Sequence, residues 1–143
     1  MMKCLTALVL AMCFLCVATT GCSGASDIDV DVDMTVMSST MAQAEFIKIL
    51  SNLEDYVGKT IKAAGPYYSF SLEQTGFLYR YIMIVEGDEC CRIGLEIRSC
   101  DEDMSPDELA RQYALVEVVG VLKTHMDFGY TIPYVEFYEL SVS

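Results

Sequence analysis

Hydrophobic and polar positions change rhythm several times along the chain, and each change predicts an element. Leu5 to Ala18 is an unbroken apolar run behind Met1-Met2-Lys3, and it stops at Thr19-Thr20-Gly21-Cys22. The run is shorter than the roughly 20 residues a membrane-spanning helix needs. A positive start, an apolar middle and a small-residue stop predict a secretion signal over residues 1–21. Residues 23–40 are small and polar, then set Asp27, Asp29, Asp31 and Asp33 between apolar residues. That pattern predicts an acidic tether over 22–40, with a short two-faced edge strand as the alternative. Thr40-Met41-Ala42-Gln43 has the form of a capping box, and Met41, Ala44, Phe46, Ile47 and Leu50 follow at helical spacing, so a helix is expected over about 41–51.

From Tyr56 onward the rhythm becomes extended. Tyr56–Tyr68, Gly76–Val85, Cys90–Arg98, Ala114–Lys123 and Ile132–Val142 are rich in aromatic and β-branched residues and are separated by turn residues. Asn52–Asp55 and Glu86–Glu89 read as turns and 124–131 as a loop. Ser105-Pro106-Asp107-Glu108 supplies a helix cap, a first-turn proline and a capping acid, so a short helix is expected to run to about Tyr113. The order helix, three strands, short helix, two strands predicts a mainly β domain over 41–143. It fits an OB-like five-stranded Greek-key barrel with an extra N-terminal helix and a short helix between strands three and four. Single glycines inside several strands suit a small barrel that must bend. An α+β meander with the same elements and no closure is the rival.

Charge narrows the partners. The 143-residue chain has a formal net charge of −12, and losing residues 1–21 removes Lys3 and no acid, which moves it to −13. Such a field repels phosphate backbones, so nucleic acid is excluded as a partner, while cations and basic surfaces are favoured. The 122 residues that remain suffice for one domain with a real core. A small residue followed by Cys22 resembles the bacterial lipobox, which implies cleavage before Cys22 and a diacylglycerol on its thiol. Thr19 stands where a lipobox usually has Leu, so simple cleavage with a free Cys22 is the alternative. The expected location is extracytoplasmic, tied to the cell membrane by lipid.

Chemistry concentrates at Cys90-Cys91. Adjacent thiols behind the acidic turn Glu86, Asp88, Glu89 attract a soft divalent ion, and zinc is the expected cofactor if there is one. Neighbouring strand residues face opposite ways, however, so the two thiols chelate one ion only if the turn bends them together. The plainer reading buries one Cys as a small apolar residue and leaves the other exposed or in a disulfide with Cys100. The Asp27–Asp33 series lacks the glycine and the terminal glutamate of an EF-hand loop, which rejects that calcium site. His125 is the single histidine, expected far from the Cys pair, and no catalytic motif accompanies it. The protein is therefore expected not to be an enzyme. Tyr67, Tyr68, Tyr79, Tyr81, Tyr130, Tyr134 and Tyr138 can pack the sheet or build a stacking platform for a sugar or peptide.

Four segments carry a resemblance: M-T-V-M-S-S-T-M-x-x-A-E at 34–45, D-Y-V-G-K-T-I-K-x-x-G-P-Y-Y at 55–68, E-C-C-R-I-G-L-E at 89–96 and V-x-V-V-G-V-L at 116–122. They resemble a family of uncharacterised lipoproteins from anaerobic Gram-positive bacteria. More faintly, the Y-x-G-K-x-I and C-C segments resemble the C-terminal OB-like domain of a membrane-protein family encoded beside permeases and linked to zinc handling. The first implies a surface lipoprotein. The second implies metal binding at Cys90 and Cys91, with Asp88 and Glu89 beside them, and a membrane permease or other surface protein as partner. The alternative function is a module that grips a peptide, a glycan or a partner subunit with the barrel face and the loops near 69–76 and 124–131.

Overall fold

The computed structural model describes residues 28–73, 76–86, 91–101 and 110–143, with Glu86 and Cys91 described in backbone alone. Its elements are β1 (Val32–Asp33), α1 (Ser39–Ser51), α2 (Leu53–Tyr56), β2 (Thr60–Ser71), β3 (Leu78–Glu86), β4 (Cys91–Ser99), β5 (Leu115–Asp127) and β6 (Tyr130–Val142). The fold is mainly β. β2 pairs antiparallel with β3, and β3 with β4; β4 runs parallel to β6; β6 pairs antiparallel with β5, and β5 returns to pair with β2. The sheet thus closes into a ring, with β1 added parallel to the start of β2.

Alternation along these strands puts one set of side chains inside the ring. Ile61, Ala63 and Tyr67 from β2, Ile82 and Ile84 from β3, Leu95 and Ile97 from β4, Val116, Val118 and Leu122 from β5, and Val135 and Phe137 from β6 form the core. Complete burial of one such aliphatic side chain contributes about 2 kcal/mol. The ring also needs close backbone approaches. A Cβ on Gly65 would collide with the Met83 carbonyl, and one on Gly120 with the Glu136 carbonyl and the Phe137 backbone. The β5–β6 register shifts between Val119 and Gly120, so this glycine sits at the bulge that bends the strand.

Several expectations are corrected. Part of the segment expected as a tether belongs to the fold: the Asp31 and Met34 N–H groups donate to Thr60 O and Lys62 O at 3.0 and 2.9 Å, and Val32 and Met34 are buried. The edge-strand alternative is the one adopted. The folded unit therefore begins upstream of residue 41. α1 is capped by Ser38, whose hydroxyl accepts from Met41 N, rather than by Thr40. Its buried row is Ala42, Phe46 and Ile49, while Met41, Ile47 and Leu50 are exposed. The row 42–46–49 wins because it continues through Leu53 and the buried Tyr56 of α2, the helical turn that replaces the expected Asn52–Asp55 turn.

The expected loop 124–131 is mostly strand. Only Phe128 and Gly129 turn the chain, with φ of 47° and 82°, the doubly positive pattern of the tight hairpin turn whose twist matches its strands. A phenylalanine in a left-handed conformation is uncommon, which hid this turn from the sequence. The helix expected from Ser105 to about Tyr113 lies outside the described residues over 105–109, and its remainder is not helical: 110–111 are irregular and 112–113 form a turn. That turn is clipped to β2: Tyr113 N donates to Tyr67 O at 2.7 Å, and the Gln112 amide donates to Ser69 O at 2.7 Å.

Candidate functional site

The expected metal ligands Asp88, Glu89, Cys90 and the Cys91 side chain lie outside the described residues, as does Cys22. Cys91 opens β4 and Cys100 follows its end, so the strand holds their backbones roughly 25–30 Å apart. Cys100, the disulfide candidate of the sequence, is disulfide-bonded. Among the described residues no group of three or more His, Cys, Asp or Glu is placed to hold a metal ion, and no helix is long and apolar enough to cross a membrane.

The described chemistry gathers instead on the outer face of the ring. On β4, Leu95 and Ile97 point inward, so alternation turns Glu96 and Arg98 outward. The register sets Glu96 opposite Tyr81 of β3 on one side and Tyr134 of β6 on the other. Glu96 is nevertheless only 3% exposed. A buried carboxylate must be paired, and Arg98 does this with Nε and Nη2, 2.8 and 2.7 Å from Glu96 Oε1. His125 Nε2 stands 3.1 Å from Glu96 Oε2 and 2.8 Å from Arg98 Nη2. That nitrogen plays one role at a time, accepting from Arg98 when bare and donating to Glu96 when protonated.

Aromatic rings enclose this cluster. The Arg98 guanidinium carbon is 4.6 Å from the Tyr134 ring centroid and 5.5 Å from that of Phe77. His125 meets Tyr134 edge-on, and Phe77 meets Tyr79 edge-on. Phe70 stacks on both Tyr79 and Tyr81, and Tyr68 and Tyr113 extend the tract. The Tyr79 hydroxyl donates to Asp127 Oδ2 at 2.7 Å. That bond, reinforced by desolvation and the aspartate charge, pushes the Tyr79 phenol up to about 12. Burial, then the Glu96 charge, raises Tyr81.

Between the end of β2–β3 and the β5–β6 hairpin lies a pocket of about 280 Å³ lined by Phe77, Tyr79, Arg98, His125, Met126 and Asp127. His125 and Asp127, expected in a loop, are held on β5, and His125 lies beside Arg98, roughly 20 Å along β4 from Cys91. Of the tyrosines singled out in sequence, Tyr67 is core, Tyr79, Tyr81 and Tyr134 build the site, and Tyr130 is exposed in the adjoining hairpin. Glu96, Arg98, Phe77 and Met126 escaped sequence reasoning. The available signal was the opposite-charge pair at i and i+2 of a strand, which places both on one face. No family model matches the chain, and no curated protein matches it.

Proposed function

We propose that the protein is an extracytoplasmic, lipid-anchored binding module that holds its ligand on the outer face of an OB-like ring and does not catalyse a reaction. The strand sequence β2-β3-β4-β6-β5 returning to β2, with its parallel β4–β6 pair, supports the OB-like reading. The signal-like segment ending at Cys22 supports the anchor, and the net charge of −12 argues against nucleic acid. One observation carries the proposal: a pocket at the meeting of two hairpin ends joins aromatic walls to a charged cluster whose members already hold one another in place. Pre-organised polar groups in an apolar cleft are the usual make-up of a binding site. Glu96 is committed to Arg98, and Asp127 to Tyr79, an arrangement suited to gripping a ligand rather than moving a proton.

The test is an array of glycans and peptides probed with the full chain in detergent. A ligand lost on Phe77→Ala and kept by the Cys90→Ser, Cys91→Ser double variant supports the module. A ligand lost only in the double variant, and dependent on added zinc, overturns it in favour of the metal reading that rests on the Cys90-Cys91 pair.

A further inference from the structure

The pocket's unused hydrogen-bonding capacity narrows the ligand. Arg98 spends Nε and Nη2 on Glu96 and His125, and its Nη1 has no partner among the described residues. Asp127 gives Oδ2 to Tyr79, and its Oδ1 has no partner among the described residues. The pocket therefore offers a donor from Arg98 and an acceptor from Asp127, beside the exposed carbon surfaces of Phe77 and Met126.

We infer that the ligand class is a neutral sugar ring, presenting one hydroxyl as acceptor to Arg98 Nη1, another as donor to Asp127 Oδ1, and its C–H face to Phe77 and Met126. This rests on the binding-module reading above. Hydroxyls both donate and accept, so one small polyol satisfies two opposite demands. An anion is disfavoured because Glu96 already neutralises Arg98, and Asp127 adds a negative charge in a chain of net −12. A ligand cation is disfavoured because Arg98 lines the same pocket and a cation would leave its Nη1 donor unmet. The volume lies just under the roughly 300 Å³ where pockets for drug-sized ligands begin, which fits one sugar unit. The exposed Phe70 and Tyr113 provide room for a chain to continue along the face.

The experiment follows the Met126 methyl by NMR in full chain labelled at methionine methyls, the signal assigned with Met126→Leu. The probes are the methyl glycosides of glucose, galactose, mannose and N-acetylglucosamine, with glucuronic acid and a glutamine-containing tripeptide as contrasts. A neutral glycoside should shift Met126 saturably at millimolar concentration, and glucuronic acid should bind more weakly. Asp127→Ala and Arg98→Lys, which keeps the charge but removes Nη1, should each weaken binding about tenfold, as loss of one charge-assisted hydrogen bond implies. Unfolding midpoints separate lost binding from lost fold, and Phe77→Ala at an exposed ring gives a third variant. Binding untouched by these variants overturns the inference. Binding of the tripeptide alone also overturns it while sparing the module, and an array in which nothing binds overturns both.

Discussion

Two of the ion pairs on the outside of the sheet, one between strands and one along a single strand, are built to opposite plans. Lys62 of β2 meets Glu117 of β5 at 3.0 Å with both side chains partly exposed. Glu96 of β4 meets Arg98 at 2.7 Å with its carboxylate side chain 2% exposed, under the rings of the pocket wall. Water and salt screen the first, so the sheet would close without it. The second has exchanged water for a guanidinium and an imidazole, and the surrounding fold depends on that exchange being complete. Every buried side-chain nitrogen or oxygen among the described residues has a partner, Glu96 included. The outer face is thus two surfaces: a stretch whose paired charges meet water, and a pre-arranged stretch around the pocket whose carboxylate is shut away from it.

The largest effect follows from removing one member of the dry pair. Arg98→Met should cost about 3 kcal/mol, because it strands a carboxylate in a site from which water has been driven. Adding Glu96→Gln to that variant should restore much of the loss, since the amide carries no charge to desolvate. Denaturant unfolding of the two single variants and the double variant measures this coupling directly. Strict additivity of the two single losses would mean that Glu96 and Arg98 are independent, and the contrast with Lys62 and Glu117 would collapse.

The same contrast explains what the sequence disclosed. Strand alternation in segments such as Val116–Val118 and Leu95–Ile97 depends only on a period of two and an apolar interior, so the five long strands were legible, whereas their closure into a ring was one of two arrangements left open. The helix was legible as a helix but not in its phase. Two apolar rows compete on α1, and only the docked structure shows that 42–46–49 is the longer one once α2 joins it. The site was opaque for a related reason. By alternation Glu96 and Arg98 are ordinary outward residues, and Glu96 is dry only because Tyr81 and Tyr134 flank it across two strand registers far apart in sequence. The hairpin that brings His125 and Asp127 to Arg98 was concealed by Phe128 in a turn position that usually selects Gly or Asn.

An intermediate effect belongs to Tyr79, whose bond to Asp127 should keep its phenol protonated to about pH 12. An unperturbed tyrosine ionises near pH 10. Because the folded value is the higher one, the folded state binds this proton more tightly. The resulting stabilisation is present below about pH 10 and is lost as pH rises from there to about 12. Ultraviolet titration of phenolate should show Tyr79 ionising last, behind Tyr81, which burial also delays, and Asp127→Ala should bring Tyr79 back toward the exposed tyrosines. A titration unchanged by Asp127→Ala would detach Tyr79 from the dry cluster.

The smallest effect is expected at the wet pair. Glu117 raises the Lys62 ammonium first through the hydrogen bond and then through its charge. Neither residue is shut away from water, so Lys62→Met removes a charge that solvent and salt replace at once. Its unfolding midpoint should coincide with that of the parent within error in concentrated salt, where any remaining attraction is screened. Coincidence at high salt and a slight loss at low salt would mark a surface pair. A loss that persists at high salt would mean that the β2–β5 seam closing the ring relies on this contact, and the division between the two surfaces would have to be redrawn around Lys62.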